Sequence, residues 1–167
     1  VKRKYTINAI TGDGVDDLLK GLEEHQHWIE SKIPELCERL ATIGATYASI
    51  GFARAFYDGP RNCSVRVEQR GENTYAVIAE GEEVLFVEFG SGVTMGGGHP
   101  DVQGYGPGTY PPTNPDHPKW NDPNGWYIPK NKGGGHTFGN PPNAPMYHAA
   151  KNVEEELEQV VREVFGH

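Results

Sequence analysis

The side chains able to do chemistry are few, and their spacing is poor. His25 and His27 stand two apart in a helical pattern, so they do not share a face, and neither belongs to an HExxH arrangement. His99, His117 and His136 lie in one glycine- and proline-rich stretch, with Asp101, Asp116 and Asp122 near them. A loop can gather N and O ligands from distant positions, but this spacing is diagnostic of no metal, and surface or packing histidines are the expectation. Ser91 in Gly90-Ser91-Gly92 looks superficially like an activated serine. It lacks the GxSxG pattern and the strand, nucleophile and helix order that would expose its hydroxyl to a base. Glu88 interrupts the apolar run Val84–Phe89 and suits a strand-rim charge or a salt bridge better than a catalytic carboxylate. The triplets at Gly96, Gly97, Gly98 and at Gly133, Gly134, Gly135 have neither the Lys-Ser/Thr of a phosphate loop nor a dinucleotide fingerprint. Cys37 and Cys63 are expected as two small buried residues rather than as a disulfide or a zinc pair. No catalytic residue, cofactor-binding residue or metal ligand is assigned, and the expectation is a non-enzymatic protein without a cofactor.

Aromatic side chains are the more informative group. Tyr105, Tyr110, Trp120, Trp126, Tyr127 and Phe138 all fall in the same stretch, and so many large rings left in water would be a liability. Three readings stay open: packing on the chain's own domain, packing between subunits, and carbohydrate binding.

The elements that must position these residues follow from pattern. Of the 22 Gly and 13 Pro residues, 24 lie in 90–145, a segment of 56 residues that cannot carry ordinary helices or central strands. Irregular loops longer than roughly 12–15 residues need a reason, usually a binding loop or an arm ordered by a partner. Before it, 5–10 reads as an initial strand or an extended arm. Asp13 is placed to cap a helix starting near Gly14 or Val15, with Asp16 and Asp17 in its first turn. Leu18, Leu22, Ile29, Ile33, Leu36, Leu40, Ile43, Tyr47 and Ile50 then recur mostly at intervals of three and four, which predicts one long helix or two nearly collinear ones, kinked or split at Pro34. Ala41, Gly44, Ala45, Ala48 and Gly51 add little bulk. Glycine costs a helix about 1 kcal/mol against alanine, so Gly44 and Gly51 predict a backbone packed closely on a sheet or a neighbouring helix.

Alternation predicts a three-strand antiparallel meander at 64–69, 75–79 and Val84–Phe89, the last being the most hydrophobic and a candidate sheet edge. A final helix begins near 144–147 and runs to about Phe165, with Val153, Leu157, Val160, Val161 and Val164 on its apolar face. The fold class is therefore α+β, with a long N-terminal and a C-terminal helix on a small antiparallel sheet, and 1–167 as one domain. A formal charge of -8, from 15 basic and 23 acidic residues, does not support a broad nucleic-acid footprint. No apolar run approaches the roughly 20 residues of a membrane span. The N-terminal stretch shows neither a signal core nor a lipidation motif, so neither a membrane nor export is expected.

Taken in order, several stretches resemble one family. Val77-Ile78-Ala79-Glu80-Gly81 continuing through Val84-Leu85-Phe86-Val87-Glu88-Phe89-Gly90-Ser91-Gly92-Val93 is similar to the strand-to-loop signature of tailed-phage tail-completion proteins, also described as minor capsid or head-tail joining proteins. Ile50-Gly51-Phe52-Ala53-Arg54-Ala55-Phe56-Tyr57-Asp58-Gly59 resembles the end of the long helix in members from Gram-positive phages and prophages. His99-Pro100, Gly125-Trp126-Tyr127 and Gly135-His136-Thr137-Phe138-Gly139 resemble its loop landmarks, and Ala144-Pro145-Met146-Tyr147-His148-Ala149-Ala150 the start of its last helix. The resemblance covers roughly 14–165, and its motifs are structural rather than catalytic. It implies an α+β protomer in a homo-oligomeric ring at the virion neck or upper tail, assembled in the host cytoplasm and bound to head-completion and tail-terminator proteins. On the sequence, Phe89, Gly90, Ser91, Gly92 and Val93 at the expected sheet edge, with Trp120, Trp126 and Tyr127, are the candidate interface residues. The alternative is a small polysaccharide- or peptide-binding module using the aromatic loop.

Overall fold

In the computed structural model, residues 4–8, 11–12, 14–57, 59–92, 99–101 and 122–166 are described. Asp13, expected to cap the first helix, lies outside them. Helix α1 spans Val15–Arg54, with Asp16 and Asp17 in its first turn, where the helix dipole favours negative charge. At about 1.5 Å per residue it is roughly 60 Å long. Pro34 lies inside it, so of the two expected forms the region takes the single long helix. A proline in a helix interior costs about 3 kcal/mol.

Two strands follow, β1 at Ser64–Gly71 and β2 at Thr74–Glu80, paired antiparallel with Val65 opposite Ala79 and Val67 opposite Val77. These pairs turn inward, while Arg66 on the other face reaches Glu80 at 3.1 Å.

The expected third strand is absent. Val84–Phe89 is a short helix, α2, in which Val87 N–H donates to the Glu83 carbonyl at 2.9 Å and Gly90 N–H to the Phe86 carbonyl at 2.9 Å. A six-residue run with five apolar side chains satisfies a strand and a buried helical turn equally well, and long-range bonds decide between them. The buried Glu83 carboxylate accepts the backbone N–H groups of Asn62 and Cys63, which fixes the chain just before α2 against the start of β1. The expected meander is therefore a single hairpin, and Val84–Phe89 is not a sheet edge.

The loop has little regular structure among its described residues: β3 at Trp126–Tyr127, a 3-10 turn at Lys130–Lys132, and β4 at His136–Thr137. Helix α3, Pro145–Phe165, closes the chain and runs antiparallel to α1. A Cβ on Gly51 would stand 2.7 Å from Pro145 Cβ, and one on Gly44 would stand 3.3 Å from Val153 and 3.4 Å from Val77. The two helical glycines thus admit both α3 and the hairpin, as their cost in the sequence implies. Further along, Tyr47 donates to Glu156, Arg39 pairs with Glu163 at 3.3 Å, and Trp28 meets Phe165 edge-on at 5.8 Å. Val160 and Val164 are buried, whereas Leu157 of the expected apolar face is largely exposed.

Residues 4–8 form an extended arm rather than a strand, with the Tyr5 hydroxyl resting at Gly21. Cys37 and Cys63 are free thiols, half-buried rather than fully buried. Among the described residues no helix is long and apolar enough to cross a membrane.

Candidate functional site

One landmark of the loop, His99, and the start of the last helix meet at Glu88. Helix α2 turns this carboxylate inward to 6% exposure, directly below the start of α3. That start has no cap of its own: Ala144 adopts a left-handed conformation, φ 47°, and Pro145 brings no N–H. Glu88 supplies the missing acceptors. Met146 N–H donates to its Oε2 at 2.9 Å and Tyr147 N–H to its Oε1 at 3.1 Å. A negative charge in that place also complements the helix dipole. The backbone adds two further ties, Asn143 N–H to the Val87 carbonyl at 2.9 Å and Ala144 N–H to the Glu88 carbonyl at 3.2 Å.

His99 completes the hub. Its side chain is 1% exposed, with Nε2 at 3.1 Å from Glu88 Oε1 and Nδ1 accepting the Asp101 N–H at 3.1 Å. Because Nδ1 is occupied as an acceptor, the network assigns the proton to Nε2, which donates to Glu88. Phe89 and Tyr147 flank the imidazole, with ring centroids 5.0 and 5.4 Å away. A buried Glu–His pair has the composition of an acid/base device, but here each of its four polar side-chain atoms binds protein. The pair joins 99–101, α2 and α3.

Beyond Glu88 the chain is clamped again. Ser91 and Asn140 form an antiparallel bridge, with N–H to carbonyl distances of 2.8 and 2.9 Å, and Ser91 Oγ accepts the Asn140 N–H at 3.3 Å. The Ser91 hydroxyl therefore serves the bridge. Asn143 acts as a strand surrogate toward the end of α1: its Oδ1 accepts Phe56 N–H at 2.9 Å, and its Nδ2 donates to the Phe56 carbonyl at 3.1 Å. Glu83, Asn140 and Asn143 are the functional positions that sequence reasoning missed. Each is an ordinary polar residue locally, and only its partners, 20 to 87 residues away, reveal it.

The candidate interface residues divide. Gly90, Ser91 and Gly92 are buried inside the protomer and Phe89 is half-buried against His99, so in the protomer these four pack inward at the anchor. Trp126 is half-buried, and its ring lies 3.1 Å from where a Cβ on Gly92 would stand. Tyr127 is 80% exposed. It meets His136 edge-on at 4.8 Å, and His136 meets Phe138 at 4.9 Å, which gives the β3–β4 ribbon an exposed aromatic face. Val93 and Trp120 lie outside the described residues, as do His117 and Asp116.

The remaining candidates stay apart. His25 stacks on Trp28 at 5.5 Å and His27 lies 3.4 Å from Glu30, both on α1. Asp122 accepts the Asn124 N–H at 2.8 Å in a local turn. Among the described residues no three His, Cys, Asp or Glu side chains are grouped to hold a metal ion. Gly133, Gly134 and Gly135 all have positive φ and close the turn between β3 and β4. Burial, followed by the nearby Glu83 charge, pushes the Cys63 thiol above its ordinary range. No family model, curated protein or solved structure matches this chain.

Proposed function

We propose that this chain is a non-enzymatic structural protein of a phage or prophage neck, forming a homo-oligomeric ring that helps join head to tail. The observation that supports this reading is the convergence at Glu88. Phe89, His99 and the start of α3 are far apart in sequence, yet all three lie in stretches that carry the family resemblance and meet at the buried Glu88, and Ser91, from the first of those stretches, is bridged beside it to Asn140. Such an anchor suits assembly, because it holds the two ends of a long loop on a rigid helix pair and presents the ribbon between them. A cyclic ring needs two different complementary surfaces on each protomer, and the ribbon with Tyr127 is one candidate.

The exposed Tyr127, His136 and Phe138 rings also favour a second reading, a polysaccharide- or peptide-binding module. One experiment separates the two. A nonsense mutation in this gene, in the phage or induced prophage that carries it, is expected to give DNA-filled heads and separate tails by electron microscopy, restored by a plasmid copy. Normal virions from the mutant would refute the joining role.

A further inference from the structure

Helix α1 carries an unbroken heptad seam that outruns its partner. Val15, Leu22, Ile29, Leu36, Ile43 and Ile50 recur every seven residues, and Leu19, Gln26, Ile33, Leu40 and Tyr47 fall four residues after each of the first five. Alternating steps of four and three place the first series at d and the second at a of a coiled-coil heptad. On a straight α-helix such a seam drifts about 20° per heptad, so a partner helix has to follow it.

Over its C-terminal part the partner is α3. Ile33, Leu36, Leu40, Ile43 and Tyr47 are half-buried where α3 runs alongside, and Ile50 is exposed again near the start of α3. Helix α3 ends at Phe165, against Trp28. The seam continues past that end for two more heptads. There Val15 is 38%, Leu19 52%, Leu22 55% and Ile29 37% exposed. The described residues of the arm lie to one side of it: Tyr5 rests at Gly21 and the Thr6 carbonyl at Gly14, both c positions off the a/d line.

We infer that this overhang pairs with the same segment of a second copy of the chain, parallel and in register. Three features select that occupant. The seam is continuous with one that already packs helix on helix in the protomer, so its geometry suits another helix. Its e positions are all acidic, Asp16, Glu23 and Glu30, whereas its g positions are Leu18, His25 and Lys32. Antiparallel pairing would set e against e and bring acid to acid. Parallel pairing sets e against g of the neighbour and brings Glu30 to His25. Finally, the one polar residue of the overhanging seam, Gln26, stands at an a position, and an in-register copy would place Gln26 beside Gln26, which a purely apolar partner helix would not match.

Two heptads cover less than the roughly 800 Å² per partner of a standard interface. The contact is therefore weak alone and strengthens when copies are held together by another surface. It is separate from the Glu88 anchor and does not depend on the head-tail reading.

Disulfide capture in the full chain tests the inference, with Cys37 and Cys63 replaced by alanine. In a parallel in-register pair two Val15→Cys residues meet, whereas antiparallel pairing sets d against a of the neighbour, so that with Leu19 on Leu22 it brings Val15→Cys to Gln26→Cys. The expected result is that V15C forms a linked dimer on the order of tenfold faster than D17C, an f position facing away from the seam. Adding Leu22→Glu should abolish that advantage without moving the melting temperature. Equal linking of V15C and D17C, preferential V15C–Q26C linking in a mixture, or linking unaffected by L22E would each overturn the proposal. A large fall in melting temperature for L22E would also overturn it, by returning Leu22 to the protomer core.

Discussion

Replacing Glu88 by glutamine should destabilise the protomer far more than a surface substitution. The side chain keeps its shape, but one oxygen becomes an NH2 group in a place surrounded by donors. Oε1 now accepts from Tyr147 N–H and His99 Nε2, and Oε2 accepts from Met146 N–H, all within 3.1 Å. Whichever way the amide is turned, its NH2 faces at least one N–H. Hydrogen bonds to a charged group contribute about 1.5–3 kcal/mol each, and a negative charge at a helix N-terminus adds about 0.3–1 kcal/mol. With one such bond lost, the others weakened and the charge removed, the expected loss is about 2–4 kcal/mol for E88Q. Glu88→Ala, which leaves all three donors unmet at a buried site, should lose about 3–5 kcal/mol. For a chain of this size 1 kcal/mol corresponds to roughly 2–4 °C, so E88Q should melt roughly 5–15 °C lower. Urea unfolding followed by circular dichroism gives the free energy. Amide exchange locates it, with protection expected to fall first at Met146, Tyr147 and Asp101. A loss below about 0.5 kcal/mol, or a loss with unchanged exchange at those amides, would refute the capping role.

Three further outcomes follow from the same geometry. Gly92 has φ 78°, and a Cβ there would stand 2.6 Å from the Phe138 carbonyl oxygen and 3.1 Å from the Trp126 ring; Gly92→Ala should cost about 1–3 kcal/mol in thermal unfolding, and an unchanged melt would exclude the clamp. The Cys63 thiol, held above its usual range by burial and by Glu83, should alkylate with a pH midpoint above the roughly 8.5 of a free thiol. Because its folded value is raised, the associated stability is present below the unfolded value and lost as pH rises through the folded one; a midpoint at or below that of a free thiol contradicts the burial argument. Trp126→Ala should lower the melting temperature because the ring packs on Gly92, whereas Tyr127→Ala, at an 80% exposed site, should leave it unchanged and weaken only assembly or ligand binding. Equal melting losses for both would return Tyr127 to the protomer core.

What was legible in the sequence was what neighbours in the chain decide. The three-and-four spacing of α1 and α3 and the alternation of β1 and β2 were readable because each element buries one face of its own. Gly44 and Gly51 announced close packing because nothing local repays a glycine in a helix. Pro34 left one long helix and a split pair both open, since its cost is local while the apolar stripe runs on through it. Val84–Phe89 misled because its own residues fit both a strand and a helix, and the deciding bonds come from Glu83 to the start of β1 and from Glu88 to α3. Glu88 itself was visible as a charge out of place in an apolar run. Its role was not, because one partner lies 11 residues on and the others 58 and 59.

That separation has a physical consequence for how the fold closes. Helix α3 begins at a left-handed alanine and a proline, with no serine, threonine, aspartate or asparagine placed to cap it, so its first turn lacks the acceptors an isolated helix would use. The first turn is completed only when α2 has formed and turned Glu88 inward. Helix α2 in turn is fixed by Glu83 on the hairpin, and its last carbonyls are taken by Asn143 and Ala144. Each of these three elements completes the next. The segments that flank the loop, α2 before it and Asn143 and Ala144 after it, are therefore part of that cooperative unit and not an appendage to it. The β3–β4 ribbon gains a firm base from such an arrangement, because the loop anchor cannot open at Glu88 without also uncapping the helix that starts there.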